Sequence, residues 1–327
     1  MRSALYYIKL FCCAVFCVMV LGGCMSSHSE ENEEKVQSDI RHQRVPDTMI
    51  SEDIVQDMEP PVPDVMEADW SAIFDGLNGA AVLYDAVQQQ YTIYNTELAT
   101  TPRSPCSTFK IISSLIALES GILEPEDSVH TWSGEVFWNE DWNHDIDFLD
   151  AFRTSCVWYF REVIDAVGQT TMQQELDKLQ YGNCDISDWE GKLNTNNNNR
   201  ALTGFWLESS LLISPKEQVQ VMERIFGVDS IYSEKTREEL REVMLVTEFE
   251  HPDIKIYGKT GMGKADGITV DAWFTGFAED SAQERTVYFC VYLGRTDNQN
   301  VTSAAAREIA INLLTQVSVY NTDFERH

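Results

Sequence analysis

Basic residues are scarce in this chain: 24 Lys and Arg stand against 53 Asp and Glu, a formal net charge of −29. Such a surface repels phosphate backbones, which argues against nucleic acid as a partner. Histidine is rarer still, with six scattered copies and none at metal-ligand spacing. The body of the chain has four cysteines, Cys106, Cys156, Cys184 and Cys290, and no Cys-x-x-C pair, so a zinc site of that kind is not expected. No metal or diffusible organic cofactor is implied. A Gly-x-Ser-x-Gly elbow with His and Asp partners is missing, which sets that hydrolase class aside. The longest apolar run, Leu10 to Leu21, falls short of the roughly 20 residues that a spanning helix needs.

Hydrophobic content of 43% and aromatic content of 11% are those of an ordinary globular protein. The 327 residues suffice for one large domain or two interlocked smaller ones. Arg2 and Lys9 precede the apolar run, which ends in Leu21-Gly-Gly-Cys24, and this pattern resembles a bacterial lipobox. The resemblance implies a signal peptide over residues 1–23, with Cys24 diacylated as the mature N-terminus. The alternative is an uncleaved N-terminal anchor. In both cases the remainder is exported and held to the cell envelope, on its periplasmic or extracellular face. Export permits disulfides.

Residues 24–69 are polar and acidic, with thirteen Asp or Glu against Lys35, Arg41 and Arg44, a net of −10. They end in Glu59-Pro-Pro-Val-Pro63 and read as a disordered stalk. About 46 flexible residues span roughly 35–40 Å root-mean-square. That exceeds the ~10 Å over which membrane surface charge is felt.

The folded domain is expected over 70–327. Gly79 to Asp85 and Gln90 to Thr96 read as a hairpin. From Ser107 to Ser120, Ile111, Leu115 and Leu118 recur at helical spacing, and Gly121 stops the pattern. The middle, roughly 107–250, alternates helical patterns with polar loops such as Asn194 to Arg200. Strand patterns return at 253–261, 272–279 and 286–293, before a closing helix from Ser303 to about Val317. Strands at both ends with helices between predict an α+β fold, an antiparallel sheet joined to a helical lobe.

Three short motifs carry chemistry. In Ser107-Thr-Phe-Lys110, residues three apart share a helix face, so the lysine amine reaches the serine oxygen one turn earlier. A serine hydroxyl needs such a base to become a nucleophile, and a helix start offers free N–H groups to an oxyanion. Read alone, the motif is equally a helix cap with an exposed lysine. Ser155-Cys-Val157 precedes another helical pattern and alone means nothing. Lys259-Thr-Gly261 lies at the end of a strand-like run, where a turn glycine is the plain explanation. Their order along the chain is what gives them force.

Over most of residues 79–317 the sequence resembles class D β-lactamases, of the oxacillinase type, among the penicillin-recognising serine hydrolases. The elements that carry this are Pro105-Cys-Ser-Thr-Phe-Lys110, Ser155-Cys-Val157, Tyr181-Gly-Asn183, Phe205-Trp-Leu-Glu-Ser-Ser-Leu-Leu-Ile-Ser214 and Lys259-Thr-Gly261. The resemblance implies hydrolysis of small-molecule β-lactams through an acyl group on Ser107. Lys110 matches the lysine that the family carboxylates with carbon dioxide, which adds only to a neutral amine. Burial lowers a lysine pKa, and Phe109, Val157 and Leu207 offer apolar walls. The carbamate is then general base for both steps.

By the same resemblance Trp206, with Val157 beside it, stabilises that carbamate through its indole N–H. Ser155 and Lys259 form the proton-relay side. Lys259, Thr260 and Gly261 face the substrate carboxylate, which Arg307 on the last helix binds. The N–H groups of Ser107 and Met262 make the oxyanion hole, while Tyr181 and Asn183 shape a loop. Cys106 and Cys156 flank serines that face each other across the pocket, which makes them candidates for a disulfide; the alternative is two small buried residues. The stretch from Asn183 to Trp206 is longer and more polar than the family pattern and holds a second tryptophan, Trp189. Two rival readings remain, a penicillin-sensitive peptidase or transpeptidase that deacylates slowly and a β-lactam sensor domain.

Overall fold

The computed structural model describes residues 63–193 and 198–324. The expected signal peptide, the lipidation site at Cys24 and all but the last residues of the expected stalk lie outside them. In chain order the strands are β1 (Asp64–Glu67), β2 (Gly79–Asp85), β3 (Gln90–Tyr94), β4 (Ile254–Ala265), β5 (Ile268–Asp280) and β6 (Arg285–Gly294). Two single-turn helices, α1 (Ser71–Phe74) and α2 (Thr96–Ala99), flank the first hairpin. A 3-10 turn, Cys106–Phe109, leads directly into α3 (Lys110–Glu119). Then come α4 (Phe148–Arg153), α5 (Val157–Val167), α6 (Gln169–Leu179), α7 (Pro215–Phe226), α8 (Glu234–Met244) and α9 (Ser303–Phe324). The fold is α+β, as the order of patterns predicts.

One six-stranded sheet, in the order β1-β3-β2-β6-β5-β4, joins the two ends of the sequence. All its pairings are antiparallel except β1 with β3. Alternation along the central strand β6 explains how it is covered. Val287, Phe289, Val291 and Leu293 face one core with Ala306, Ile309, Ala310 and Leu313 of α9. Tyr288, Cys290 and Tyr292 face the opposite core with α3, α5 and α7. Each such large side chain contributes about 1.5–3 kcal/mol by leaving water, so β6 is pinned from both faces.

Two boundaries differ from the sequence reading. The folded region starts before Trp70, because Asp64–Glu67 pair with Gln90–Ile93. All four β1 side chains are exposed, and backbone pairing with the side-chain bonds of Gln90 to Asp64 and Thr96 to Glu67 holds this edge, so a hydrophobicity pattern could not reveal it. The Lys259-Thr-Gly261 motif lies inside β4, not at its end. Pairing with β5 continues through Gly261 with Trp273 and Met262 with Ala272, and shifts register only between Gly263 and Lys264. The glycines that look like a turn serve close approach instead.

Candidate active site

The site is built where the 3-10 turn Cys106–Phe109 presses against β4, an outer strand of the sheet. A Cβ on Gly261 would lie 3.0 Å from the Pro105 carbonyl oxygen and 3.0 Å from Thr108 Cγ2. Glycine is thus what lets strand and turn touch. The turn is fixed from behind: Cys106 N–H donates to the Trp206 carbonyl at 3.0 Å, and Ser104 Oγ–H donates to the same oxygen at 2.9 Å. Gln218 Nε2 on α7 donates to Thr108 Oγ1 at 2.9 Å. Phe109 stacks on Trp206, with ring centroids 6.1 Å apart, and meets Tyr181 and Phe205 edge-on. This packing holds Cys106 at φ 50° and, across the cleft, Ser155 at φ 60°. Left-handed backbone at a non-glycine residue costs of order 1–3 kcal/mol, and here it occurs at both edges of the site.

Lys110, the first residue of α3, is 1% exposed. Its Nζ donates to Ser107 Oγ at 3.1 Å and sits 5.2 Å from the Phe160 ring centroid. No ion pair to Lys110 occurs among the described residues. Burial brings its amine down to about 8 from the usual 10.5, opposed weakly by the Cys156 and Cys106 thiols. A lysine in this state is an available base.

Lys259 on β4 is also buried, and its Nζ donates to Ser155 Oγ at 2.5 Å and to the Thr260 carbonyl at 3.1 Å. Burial, and then the positive charge of Lys110, hold it well below the ordinary lysine range. Two lysine–serine pairs therefore meet at one site. Val246 N–H donates to the Ile256 carbonyl on the free side of β4. By the two-residue period the Met262 N–H also points to that free side. Ser107, second in its 3-10 turn, has an N–H with no partner inside the turn. The two N–H groups are those expected for an oxyanion.

A cleft of about 350 Å³ opens over these groups, lined by Ser107, Ser155, Val157, Thr260, Gly261 and Met262. The structure thus brings six expected residues to one surface. It also adds Trp138, Arg153, Leu202, Leu207, Glu208 and Lys264. Trp138 is 68% exposed, and Lys264 Nζ stands 5.0 Å over its ring. The Lys264 N–H donates to the Glu208 carboxylate at 2.5 Å, which ties the loop after Trp206 to β4. Leu207 is the apolar wall expected from the Phe-Trp-Leu element. The others carry no sequence signal beyond nearness to a motif.

Arg307 borders a cavity of about 150 Å³ together with Lys259, Thr260 and Arg153, and its Nη1 pairs with Glu248 at 3.5 Å. Cys106 and Cys156 are free, buried thiols, not a disulfide. Burial raises them to about 12 and about 11. Of the two tryptophans, Trp206 stacks on Phe109, while Trp189 stacks on Phe205 one ring further out.

The Tyr181-Gly-Asn183 element acts as a clamp. Asn183 Oδ1 accepts from Leu212 N–H at 3.0 Å, and its Nδ2 donates to the Ser210 carbonyl at 2.9 Å. Gly182, at φ 53°, lies so close to the Leu212 carbonyl that any Cβ would collide with it.

A serine held against a buried lysine, at the rim of a mixed sheet, is the apparatus of a serine acyl-transfer protein. Residues 78–315 match the family model described as the penicillin binding protein transpeptidase domain, and the chain belongs to that family. It is 32% identical over 205 residues to the probable beta-lactamase YbxI of Bacillus subtilis, covering 62% of this chain and 70% of that one. It is 30% identical over 254 residues to the regulatory protein BlaR1 of Bacillus licheniformis, covering 77% of this chain. The match spans only 39% of that regulatory protein's length. The solved C-terminal domain of the Bacillus licheniformis BlaR penicillin-receptor superposes with a TM-score of 0.68 at 30% identity, over 80% of this chain and all of that one.

Proposed function

We propose that this chain hydrolyses β-lactams by the class D route, with Ser107 as nucleophile and a carboxylated Lys110 as general base. The observation that carries this is the Lys110–Ser107 pair: a fully buried amine, brought down to about 8, hydrogen-bonded to a serine that faces an open cleft. An amine of that kind is neutral often enough near neutrality to take up carbon dioxide, and the apolar walls of Phe109, Phe160 and Val157 fit such a group. When present, it supplies an anionic base beside Ser107.

Ser107 Oγ bonds to the lactam carbonyl carbon and gives its proton to the base at Lys110. The Ser107 and Met262 N–H groups stabilise the oxyanion. As the lactam C–N bond breaks, the ring nitrogen takes a proton through Ser155 and Lys259, and the proton held at Lys110 replaces it, so the base is free again. Water then gives a proton to that base and bonds to the acyl carbon, and the bond to Ser107 breaks as Ser107 Oγ takes the proton back. The name of YbxI supports hydrolysis of a β-lactam, and that of the penicillin-receptor supports penicillin binding.

A chromogenic cephalosporin separates these readings. Product well beyond one equivalent per chain, abolished in Ser107→Ala, is the expected result. A burst that stops at one equivalent, with the adduct on Ser107 by mass spectrometry, would establish the receptor reading. The Leu21-Gly-Gly-Cys24 signal further supports lipid anchoring to the envelope.

A further inference from the structure

We propose that Arg161 is a positioning residue for the base at Lys110, acting through Trp206. This rests on the carboxylated-lysine reading of that base. Arg161 lies on α5 and is only 7% exposed. A guanidinium taken out of water is tolerated only where its donors are met. Here its fork meets Asp165, with Nε donating to Oδ2 at 3.0 Å and Nη2 to Oδ1. The remaining nitrogen, Nη1, donates to the Trp189 carbonyl at 2.8 Å and to the Thr203 carbonyl at 3.5 Å. Its Cζ stands over two indoles, 5.5 Å from the Trp189 ring centroid and 5.8 Å from that of Trp206.

These partners tie the long segment after Asn183 to the site. Arg161 binds a carbonyl near each end of the stretch 189–204, and the ends themselves touch: a Cβ on Gly191 would lie 2.3 Å from Gly204 N. Arg200 draws the first end in, its Nη1 donating to the Gly191 carbonyl at 3.0 Å. The Trp206 ring lies over Gly204, where a Cβ would come within 1.9 Å of its Cζ3. Trp206 is 1% exposed and stacks on Phe109, the residue before Lys110, with centroids 6.1 Å apart. Lys110 Nζ in turn lies 5.2 Å from the ring centroid of Phe160, the neighbour of Arg161 on α5. One stretch of α5 therefore contacts both the amine and the indole. Arg161 fixes the ends of the segment, the ends seat the Trp206 ring, and Trp206 is the partner expected for the anion on Lys110. An anion in an apolar pocket is stable only where its partners are fixed in place beforehand.

The test is the uptake of isotopically labelled carbon dioxide by the resting protein, read from the carbamate resonance in its carbon NMR spectrum as bicarbonate is titrated. Turnover of a chromogenic cephalosporin is measured beside it. Arg161→Gln, which lacks the charge and the fork, should need roughly 10-fold more bicarbonate than wild type for the same carbamate signal, the scale on which outer partners orient the groups they hold. Its turnover should return toward wild type at saturating bicarbonate, a rescue that general loosening of the fold would not give. Arg161→Lys should lie between the two, since it keeps the charge without the fork. Should Arg161→Gln not fold, Arg161→Lys decides. Carbamate formation at the wild-type bicarbonate level in the variants that fold would overturn the proposal, as would a loss of turnover that excess bicarbonate leaves in place. A wild-type chain that forms no carbamate at any bicarbonate level would instead remove the carboxylated-lysine reading, and the proposal with it.

Discussion

Lys259 Nζ donates to Ser155 Oγ at 2.5 Å, although 104 residues separate the two in sequence. One end of this bond lies on β4 and the other at the left-handed residue between α4 and α5. The bond thus joins the sheet to the helical lobe at the cleft. The second pair, Lys110 and Ser107, lies within one turn and moves as a unit. The proposed acyl transfer needs both pairs in register, so the contacts that press lobe on sheet would position the reacting groups.

The Lys110 amine sets a pH dependence. Its charged form is disfavoured by burial, so as pH falls through about 8 the amine gains a proton and loses both its basicity and its capacity for carbon dioxide. Turnover should fall about tenfold per unit below that point, and bicarbonate near neutrality should restore part of it. The sign for stability is the reverse of a salt-bridged lysine. Between about 8 and 10.5 the unfolded chain binds more protons than the folded one, so raising pH through that window stabilises the fold. Initial rates with and without bicarbonate test the first expectation. Lys110→Ala should leave any acyl group on Ser107 long-lived. Bicarbonate-independent rates would make Lys110 a plain amine base.

Gly261→Ala tests the seating of the nucleophile. The added Cβ meets the Pro105 carbonyl and Thr108 at 3.0 Å, and both belong to the turn that carries Ser107. Overpacking of this kind costs about 1–3 kcal/mol. Acylation should drop tenfold or more while far-UV circular dichroism stays native, since the strain is absorbed at the turn. Unchanged labelling by a fluorescent penicillin would show that strand and turn are not held in close register.

Asn183→Ala should loosen the segment from Phe205 to Ser214. It removes the acceptor for Leu212 N–H and the donor to Ser210. Loss of stability of about 0.5–1.5 kcal/mol is expected. Amide hydrogen exchange should rise at Leu211–Ile213 before the sheet opens. Equal protection in both proteins would remove Asn183 from the clamp.

Cys24→Ser tests the anchor. The wild-type chain, expressed in a bacterium, should partition with membranes and carry acyl chains at Cys24, and the variant should not. A soluble wild-type species that begins elsewhere would end the lipobox reading.

Local order was legible from residues alone. Ser107 and Lys110 are one turn apart, so any helical start brings them together, and the apolar runs of β2, β5 and β6 mark them as strands. What lies on the cleft wall was not legible. Arg153, Trp138 and Lys264 come from α4, the loop before it and the tip of β4, and no spacing rule links them. The pairing of Arg307 with Glu248 likewise joins α9 to the 245–250 loop across about 60 residues of sequence. Gly261 reads as a turn glycine because glycine permits positive φ; its use is to remove a Cβ where strand and turn touch, which exists only once the chain has packed. Sequence periodicity determines which elements form and which neighbours share a face. The tertiary packing decided which distant side chains meet at the cleft, because that depends on distances that only the folded chain defines.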